Sequence, residues 1–248
     1  MPSAKWDNRK KNESICNICL YQKQLSEDHV PPKAIFNNGR TQADYFIKTY
    51  DKDNIIQTPS KFIQNGLKLK TICRDCNSKL GEYDRSLIEL ANLFASIVKS
   101  KIIIPKNASI SIMLNAIVRS VCGHILSSIT NIFDKEDSFN IPIYDKYRKA
   151  SNDFYEKTRV IVLDDKAPIP NNWNVYFWSF PHSKTTIAPN MLRSAENLRD
   201  VNDVDFCQVI KFFPLGFLIS NNICTKNVVL LSSFKDKDAM FRASFQFH

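Results

Sequence analysis

The chain has 248 residues, 44% of them hydrophobic, so a disordered protein is not expected and the length allows one large domain or a small domain joined to a medium one. Its net charge of +9 makes a polyanion a suitable partner. The first residues lack the apolar segment of a secretory signal, and no later run reaches the ~18 apolar residues of a membrane span. We therefore expect a cytoplasmic protein that does not enter a membrane.

The first 66 residues comprise a polar lead-in, a tight knuckle from Cys16 to Leu20 and a stretch with many turn-forming residues. Residues 1–14 are a polar, basic lead-in that could be either solvated or in contact with phosphate. The Pro31-Pro32 pair excludes helix, so His29 is expected at the end of a strand or at the edge of a loop. Turn-forming residues surround short apolar runs in residues 37–66, which predicts a hairpin or an extended loop.

Helical periodicity begins at Asn77. From there to about residue 101, apolar residues recur every three or four positions, with Gly81 as a candidate break. Residues 108–130 carry the strongest helical pattern and are apolar on most of the circumference, so we expect a central buried helix. A further amphipathic helix is expected at residues 145–157.

The remainder of the chain has the composition of β-strands. The runs TRVIVLD, NVYFWSF, DFCQVIKFFPLGFLISN and NVVLLSSF are rich in β-branched and aromatic residues and are separated by Pro and Asn. We therefore predict an α+β fold in two parts, an N-terminal module of residues 1–85 and an α+β domain of residues 86–248 with an antiparallel sheet. Trp173, Phe177 and Trp178 are expected in the core of that sheet and not in stacks with bases.

Four of the seven cysteines form two Cys-x-x-Cys pairs, Cys16 with Cys19 and Cys73 with Cys76. This spacing is typical of a closed tetrahedral site for a structural Zn²⁺. Chance pairing of four buried or loop cysteines is the alternative, and two such spacings in one short region disfavour it. The other cysteines have no metal-type spacing and are expected to be small buried apolar residues: Cys122, Cys207 and Cys224.

Three polar residues accompany the cysteine pairs. Asp28 and His29 are adjacent between the two pairs, and Asn77 directly follows Cys76. Carboxylate and amide oxygens are ligands that Mg²⁺ or Mn²⁺ prefers, and a neutral imidazole can accept a proton from water. Asn77 could also be a helix N-cap. His124 lies inside the most apolar helical pattern, where a core histidine with satisfied hydrogen bonds is the expected role and a ligand is the alternative.

These positions together resemble the HNH, or ββα-metal, nuclease family, in the branch clamped by a four-cysteine zinc, as in phage recombination endonucleases. In that branch a Cys-x-x-Cys knuckle precedes an Asp-His pair, and a second knuckle is followed at once by Asn. The resemblance covers about residues 14–85. It implies a zinc-bound ββα-metal module in which His29 is the general base and in which Asp28 and Asn77 bind a catalytic Mg²⁺ or Mn²⁺. Lys79 stands in the CNxxK arrangement common in the family, which implies a contact with phosphate.

Two positions depart from the family pattern. The middle Asn of the family, which ties the loop carrying the general base, is replaced here by Lys68, and the nearest candidates are Asn65 and Asn54. Where family members have a third metal ligand, one helical turn after the second, this chain has Gly81. Glu27, Asp84 or water could serve instead.

The resemblance implies a metal-dependent DNA endonuclease that leaves 5′-phosphate and 3′-hydroxyl ends, in bacterial restriction or anti-phage defence. Residues 86–248 would then select the target, sense a signal or mediate oligomerisation or contact with a partner protein. A junction-resolving or repair nuclease is one alternative. A catalytically inactive zinc module that only binds nucleic acid or a partner is the other, and RNA is not excluded as substrate.

Overall fold

The structure is a computed structural model that describes much of the chain, namely residues 14–36, 41–45, 49–51, 54–56, 61–63, 67–100, 109–129, 142–179, 184–193, 205–220, 229–230 and 240–242. Within these ranges lie three α-helices, α1 (Arg74–Ser100), α2 (Leu114–Ser127) and α3 (Pro142–Leu163), and a 3-10 helix (Lys33–Phe36). The strands are β1 (Ser14–Ile15), β2 (Gln22–Lys23), β3 (Leu25–Val30), β4 (Thr41–Tyr45), β5 (Thr49–Asp51), β6 (Asn54–Ile56), β7 (Lys61–Ile63), β8 (Leu67–Cys73), β9 (Ser109–Ser111), β10 (Asn174–Ser179), β11 (Lys184–Arg193), β12 (Asp205–Phe212), β13 (Leu215–Ser220), β14 (Val229–Leu230) and β15 (Met240–Arg242).

Seven of these strands form one large sheet, in the order β14-β10-β13-β12-β11-β4-β7. Neighbours are antiparallel except β4 and β11, which run parallel. β12 and β13 form a tight hairpin that turns at Phe213 and Pro214. Three of the four runs predicted as strands are strands of this sheet, and the fold of the described residues is α+β.

The N-terminal part is built around the antiparallel pair of β3 and β8, and α1 follows β8 without a gap. The pairing contains a β-bulge, because Ser26 faces Ile72 whereas Asp28 faces Leu69. In the predicted loop between the cysteine pairs, β5 and β6 form a hairpin. This strand pair and the helix that follows it therefore carry Cys73, Cys76, Asp28 and His29, whereas Cys16 and Cys19 lie in the turn between β1 and β2.

α1 and α2 pack closely at a glycine. α2 is the predicted central helix, and nearly all of its side chains are buried. A Cβ atom on Gly123 would lie 2.3 Å from Cδ1 of the fully buried Leu80 of α1, so only glycine permits this approach. Further along α1, Phe94 packs edge-on against Phe177 of the large sheet, with ring centroids 5.7 Å apart. A continuous core thus joins α1, α2 and the sheet.

The run TRVIVLD was expected to be a strand, and this prediction is wrong, because α3 extends to Leu163. Helix propensities of β-branched residues are only ~0.5 kcal/mol per residue below those of good helix formers, so burial can override them. Ile161 and Val162 are buried in the core, and the guanidinium of Arg119 binds carbonyl groups at the end of the helix. Tertiary packing therefore decides the conformation of this segment.

Two local expectations about α1 are also wrong. α1 begins at Arg74, so Asn77 lies in its first turn and is not its N-cap. The helix is not broken at Gly81, where a side chain would have open space. The predicted division of the chain at residue 85 falls inside α1 and stays a prediction. Among the described residues, no helix is both long and apolar enough to cross a membrane.

Candidate functional site

The four cysteines of the two pairs lie together, with their Sγ atoms all within 4.8 Å of one another. Four sulfurs placed ~2.3 Å from one tetrahedral Zn²⁺ would be about 3.8 Å apart, and Cys19 Sγ and Cys73 Sγ are separated by 3.9 Å. Cys16, Cys73 and Cys76 are buried. The donor set and its spacing fit a metal ion such as zinc.

The pKa values of the thiols also fit a site for a cation. A hydrogen bond from the Cys76 thiol lowers the pKa of Cys16 to about 4, against the effect of burial, and the backbone N–H groups of Cys19 and Cys73 add to this. The same contact with Cys16 raises the pKa of Cys76. Without a cation, crowded sulfurs cannot all ionise, whereas a bound metal ion stabilises every thiolate.

The knuckle formed by Cys16 and Cys19 is attached to the helices by its own backbone and by Asn17. The Asn17 amide donates hydrogen bonds to the carbonyl oxygens of Leu126 (3.0 Å) and Ile129 (2.7 Å), at the end of α2. Arg159 of α3 donates to the carbonyl oxygen of Asn17 at 2.8 Å. The metal-type cluster is therefore fixed to elements far away in the sequence.

Next to the cluster is a cavity of about 260 Å³. It is lined by residues of β3, of the 3-10 helix with the proline before it, and of α1: Glu27, Asp28, His29, Pro32, Lys33, Ala34, Asn77, Gly81, Asp84 and Ile88. The four residues contributed by α1 are spaced by three or four positions, which puts them on one face of the helix. The structure thus brings Asp28, His29 and Asn77 to one cavity.

Asn77 connects α1 to β3 through its amide nitrogen. Nδ2 donates hydrogen bonds to Ser26 Oγ at 3.2 Å and to the carbonyl oxygen of Glu27 at 3.0 Å. Because both hydrogen bonds use the nitrogen, these contacts leave the amide oxygen available to coordinate a metal ion. This arrangement gives Asn77 a role that a helix cap would not have.

Asp28 is 5% exposed and is held by α2. Ser127 Oγ donates to Asp28 Oδ2 at 2.5 Å, and His124 Nδ1 lies 3.7 Å from the same oxygen. Burial alone would raise the pKa of Asp28, but His124 and Ser127 together hold it below its usual range. Asp28 is therefore a carboxylate, the form that binds a metal ion.

His124 lies between two acids. Its Nε2 is 2.9 Å from Asp84 Oδ1, which also accepts a hydrogen bond from Ser120 Oγ at 2.6 Å. Burial favours neutral imidazole, but Asp84 and Asp28 outweigh it and raise the pKa of His124 to about 10. His124 is fully buried as predicted, yet its Nδ1 has no hydrogen-bond partner among the described residues.

His29 has the opposite protonation state. It is the penultimate residue of β3, so it lies at the end of a strand as predicted. Its side chain is half-buried, and it faces Lys68 across the strand pair. Burial, and then the positive charges of Lys68 and Lys33, lower the pKa of His29 below its ordinary value, against the effect of Asp28. The imidazole is therefore neutral at pH ~7 and can accept a proton.

Lys79 does not line the cavity. Its Nζ lies 3.0 Å from Asp165 Oδ1, and the Tyr83 hydroxyl donates to the same oxygen. The expected contact of Lys79 with phosphate stays a prediction.

Sequence reasoning did not find the part that α2 plays in this site. Ser120, His124 and Ser127 are spaced by four and three positions, so they form one polar stripe on a helix that is mostly apolar. A polar stripe inside an apolar pattern is the signal that could have identified them.

Comparison with protein-family models, with curated proteins and with solved structures gives no significant match. The HNH resemblance, the nuclease activity and the DNA partner therefore stay predictions. Outside the described residues lie Lys5, Arg9, Lys10 and Lys11 of the basic lead-in.

Proposed function

We propose that the protein is a metal-dependent DNA endonuclease that hydrolyses phosphodiester bonds and leaves 5′-phosphate and 3′-hydroxyl ends. One observation carries the proposal: Asp28, His29 and Asn77 line a single cavity, and Asn77 directly follows a cysteine of the four-thiol cluster. A general base and two oxygen donors at one cavity are the groups that metal-assisted hydrolysis needs.

The donor atoms suit two different metal ions. Four clustered sulfurs favour Zn²⁺ in a structural role, because a closed thiolate site leaves no position for a substrate. The carboxylate of Asp28 and the amide oxygen of Asn77 favour Mg²⁺ or Mn²⁺. Bound there, such a cation would polarise a phosphoryl oxygen and stabilise the charge of the leaving oxygen.

The protein's own residues would supply proton transfer and substrate binding. Neutral His29 would accept the proton of the attacking water, and burial together with Lys68 and Lys33 keeps its lone pair available. Lys33 at the cavity would provide positive charge for a phosphate, and Lys68 opposite His29 would add to it on release from its exposed ion pair with Glu27 at 3.5 Å. These contacts would fit RNA as well as DNA, so both polymers belong in the test.

The test is cleavage of supercoiled plasmid in Mg²⁺ or Mn²⁺ by the zinc-loaded full chain. Wild type should nick the plasmid, and His29→Ala should lose the activity while it retains its zinc, because His29 is not among the thiol ligands. Glu89→Gln is the control, since Glu89 is an exposed residue of α1 that does not line the cavity.

Linear, branched and single-stranded DNA, together with RNA, would be assayed in parallel to define the substrate. A junction-resolving enzyme would prefer branched DNA. Undiminished nicking by His29→Ala would show that the assignment of the base is wrong. Tight metal-independent binding of DNA without cleavage by wild type would favour the inactive zinc module instead.

A further inference from the structure

α2 lies outside the segment that resembles a nuclease, yet three of its side chains contact acids at the cavity. Ser127 and His124 reach Asp28 of β3, and Ser120 and His124 reach Asp84 of α1. Each of the three is fully buried. Burial of a polar side chain costs folding free energy unless the side chain is paired. A stripe of three such side chains that pair with two acids of the cavity therefore needs an explanation.

We infer that α2 belongs to the active site, and that His124 and Ser127 are positioning residues that orient the carboxylate of Asp28 for the divalent metal. This inference rests on the proposed function, since it assigns Asp28 the role of metal ligand. Asp84 and Ser120 act one step further out, because Asp84 holds the imidazole of His124 through Nε2 and Ser120 donates a hydrogen bond to the same oxygen of Asp84.

The contacts of Asp28, a hydrogen bond from Ser127 and an ion pair with His124 at 3.7 Å, match what metal-ligating carboxylates require. Ser127 and His124 both approach Oδ2 of Asp28, so α2 leaves the second oxygen of that carboxylate unused. Carboxylates that bind metals are commonly held in this way by outer partners, and loss of such a partner weakens metal affinity by about 10- to 100-fold.

Ser127 is itself held in place. Thr71 of β8 donates a hydrogen bond through Oγ1 to the carbonyl oxygen of Ser127 at 2.6 Å, and its Oγ1 lies 3.3 Å from Ser127 Oγ. The end of α2 is therefore tied to β8, the strand that pairs with β3. These bonds hold the end of α2, and with it Ser127, against the strand pair that carries Asp28.

A purely structural role would predict only lower stability, so the test measures metal binding without nucleic acid. Mn²⁺ is titrated into the zinc-loaded full chain and free Mn²⁺ is followed by electron paramagnetic resonance. Ser127→Ala and His124→Gln should each weaken Mn²⁺ binding by about tenfold or more. Asp28→Asn should remove it.

Thr158→Val is the matched control. Thr158 is a fully buried hydroxyl of α3 that bonds to the carbonyl oxygen of Phe154, away from the cavity. This variant should bind Mn²⁺ within about twofold of wild type even where its melting temperature changes, because distant sites act independently. If His124→Gln does not fold, as judged by lost zinc or a lost cooperative transition, Ser127→Ala alone decides.

The outcomes separate the two proposals. If Asp28→Asn loses Mn²⁺ whereas Ser127→Ala and His124→Gln bind it as wild type does, the positioning role is overturned and the proposed function stands. If wild type binds no Mn²⁺ at millimolar concentration, both are overturned. Weakened binding in the α2 variants beside unchanged binding in Thr158→Val supports the inference.

Discussion

Arg119 of α2 stabilises the end of α3 through hydrogen bonds to four carbonyl groups. Its side chain is buried, and its Nη1 and Nη2 atoms donate to the carbonyl oxygens of Ile161, Asp164 (2.7 Å), Asp165 (2.9 Å) and Ala167 (2.7 Å). The last carbonyl groups of a helix lack partners within the helix, and a guanidinium can serve several of them at once. We predict that Arg119→Met strongly destabilises the protein.

The magnitude follows from which of these bonds are buried. Those to Ile161 and Ala167 are buried, whereas those to Asp164 and Asp165 are partly exposed, where water can replace the lost donor. A hydrogen bond from a charged group contributes ~1.5–3 kcal/mol, so two buried bonds represent roughly 3–6 kcal/mol. Burial of the methionine side chain offsets about 1 kcal/mol of this loss. We expect a decrease in the free energy of unfolding of about 3 kcal/mol.

The assay is urea unfolding followed by circular dichroism, with zinc present throughout. Arg119→Lys should recover less than half of the loss, because an ammonium group is a point donor that cannot serve four carbonyls. Arg85→Met is the control, since Arg85 is 85% exposed and its ion pair with Glu89 is long at 3.7 Å, so it should change stability by less than about 0.5 kcal/mol. Equal stability of Arg119→Met and Arg85→Met would refute the reasoning.

Two further predictions compare matched pairs. Gly81→Ala should raise the free energy of unfolding by about 0.5–1 kcal/mol in a thermal or urea assay, because the added methyl group meets open space. Gly123→Ala should lower it by about 1 kcal/mol, because overlap with buried Leu80 outweighs the gain in helix propensity, and a gain like that of Gly81→Ala would contradict the close packing of α1 and α2. Cys76→Ser should lose bound zinc in metal analysis and lose its cooperative unfolding, since removal of one thiolate opens the site. Cys122→Ala should keep its zinc, because Cys122 is a buried cysteine outside the cluster, and equal zinc in both variants would argue against a four-thiolate site.

The central helix and the sheet strands were predictable because they depend on local periodicity. Apolar residues at helical spacing identified α2, and β-branched and aromatic runs identified β10, β12 and β13. The end of α3 was not predictable in the same way. Its residues favour a strand locally, and only their burial and the hydrogen bonds from Arg119 make them helical.

The cysteine pairs, Asp28, His29 and Asn77 could be singled out from the sequence by itself, because the spacing of metal ligands and the chemistry of the side chains are written into neighbouring residues. Only the tertiary structure decided that these polar residues share one cavity, that Asn77 uses its amide nitrogen to hold β3, and that His124 and Ser127 contact Asp28. The contact between Ser127 and Asp28 joins positions 99 residues apart. No local pattern encodes such a contact, because it forms only when the packing of α2 against β3 and α1 brings the two side chains together.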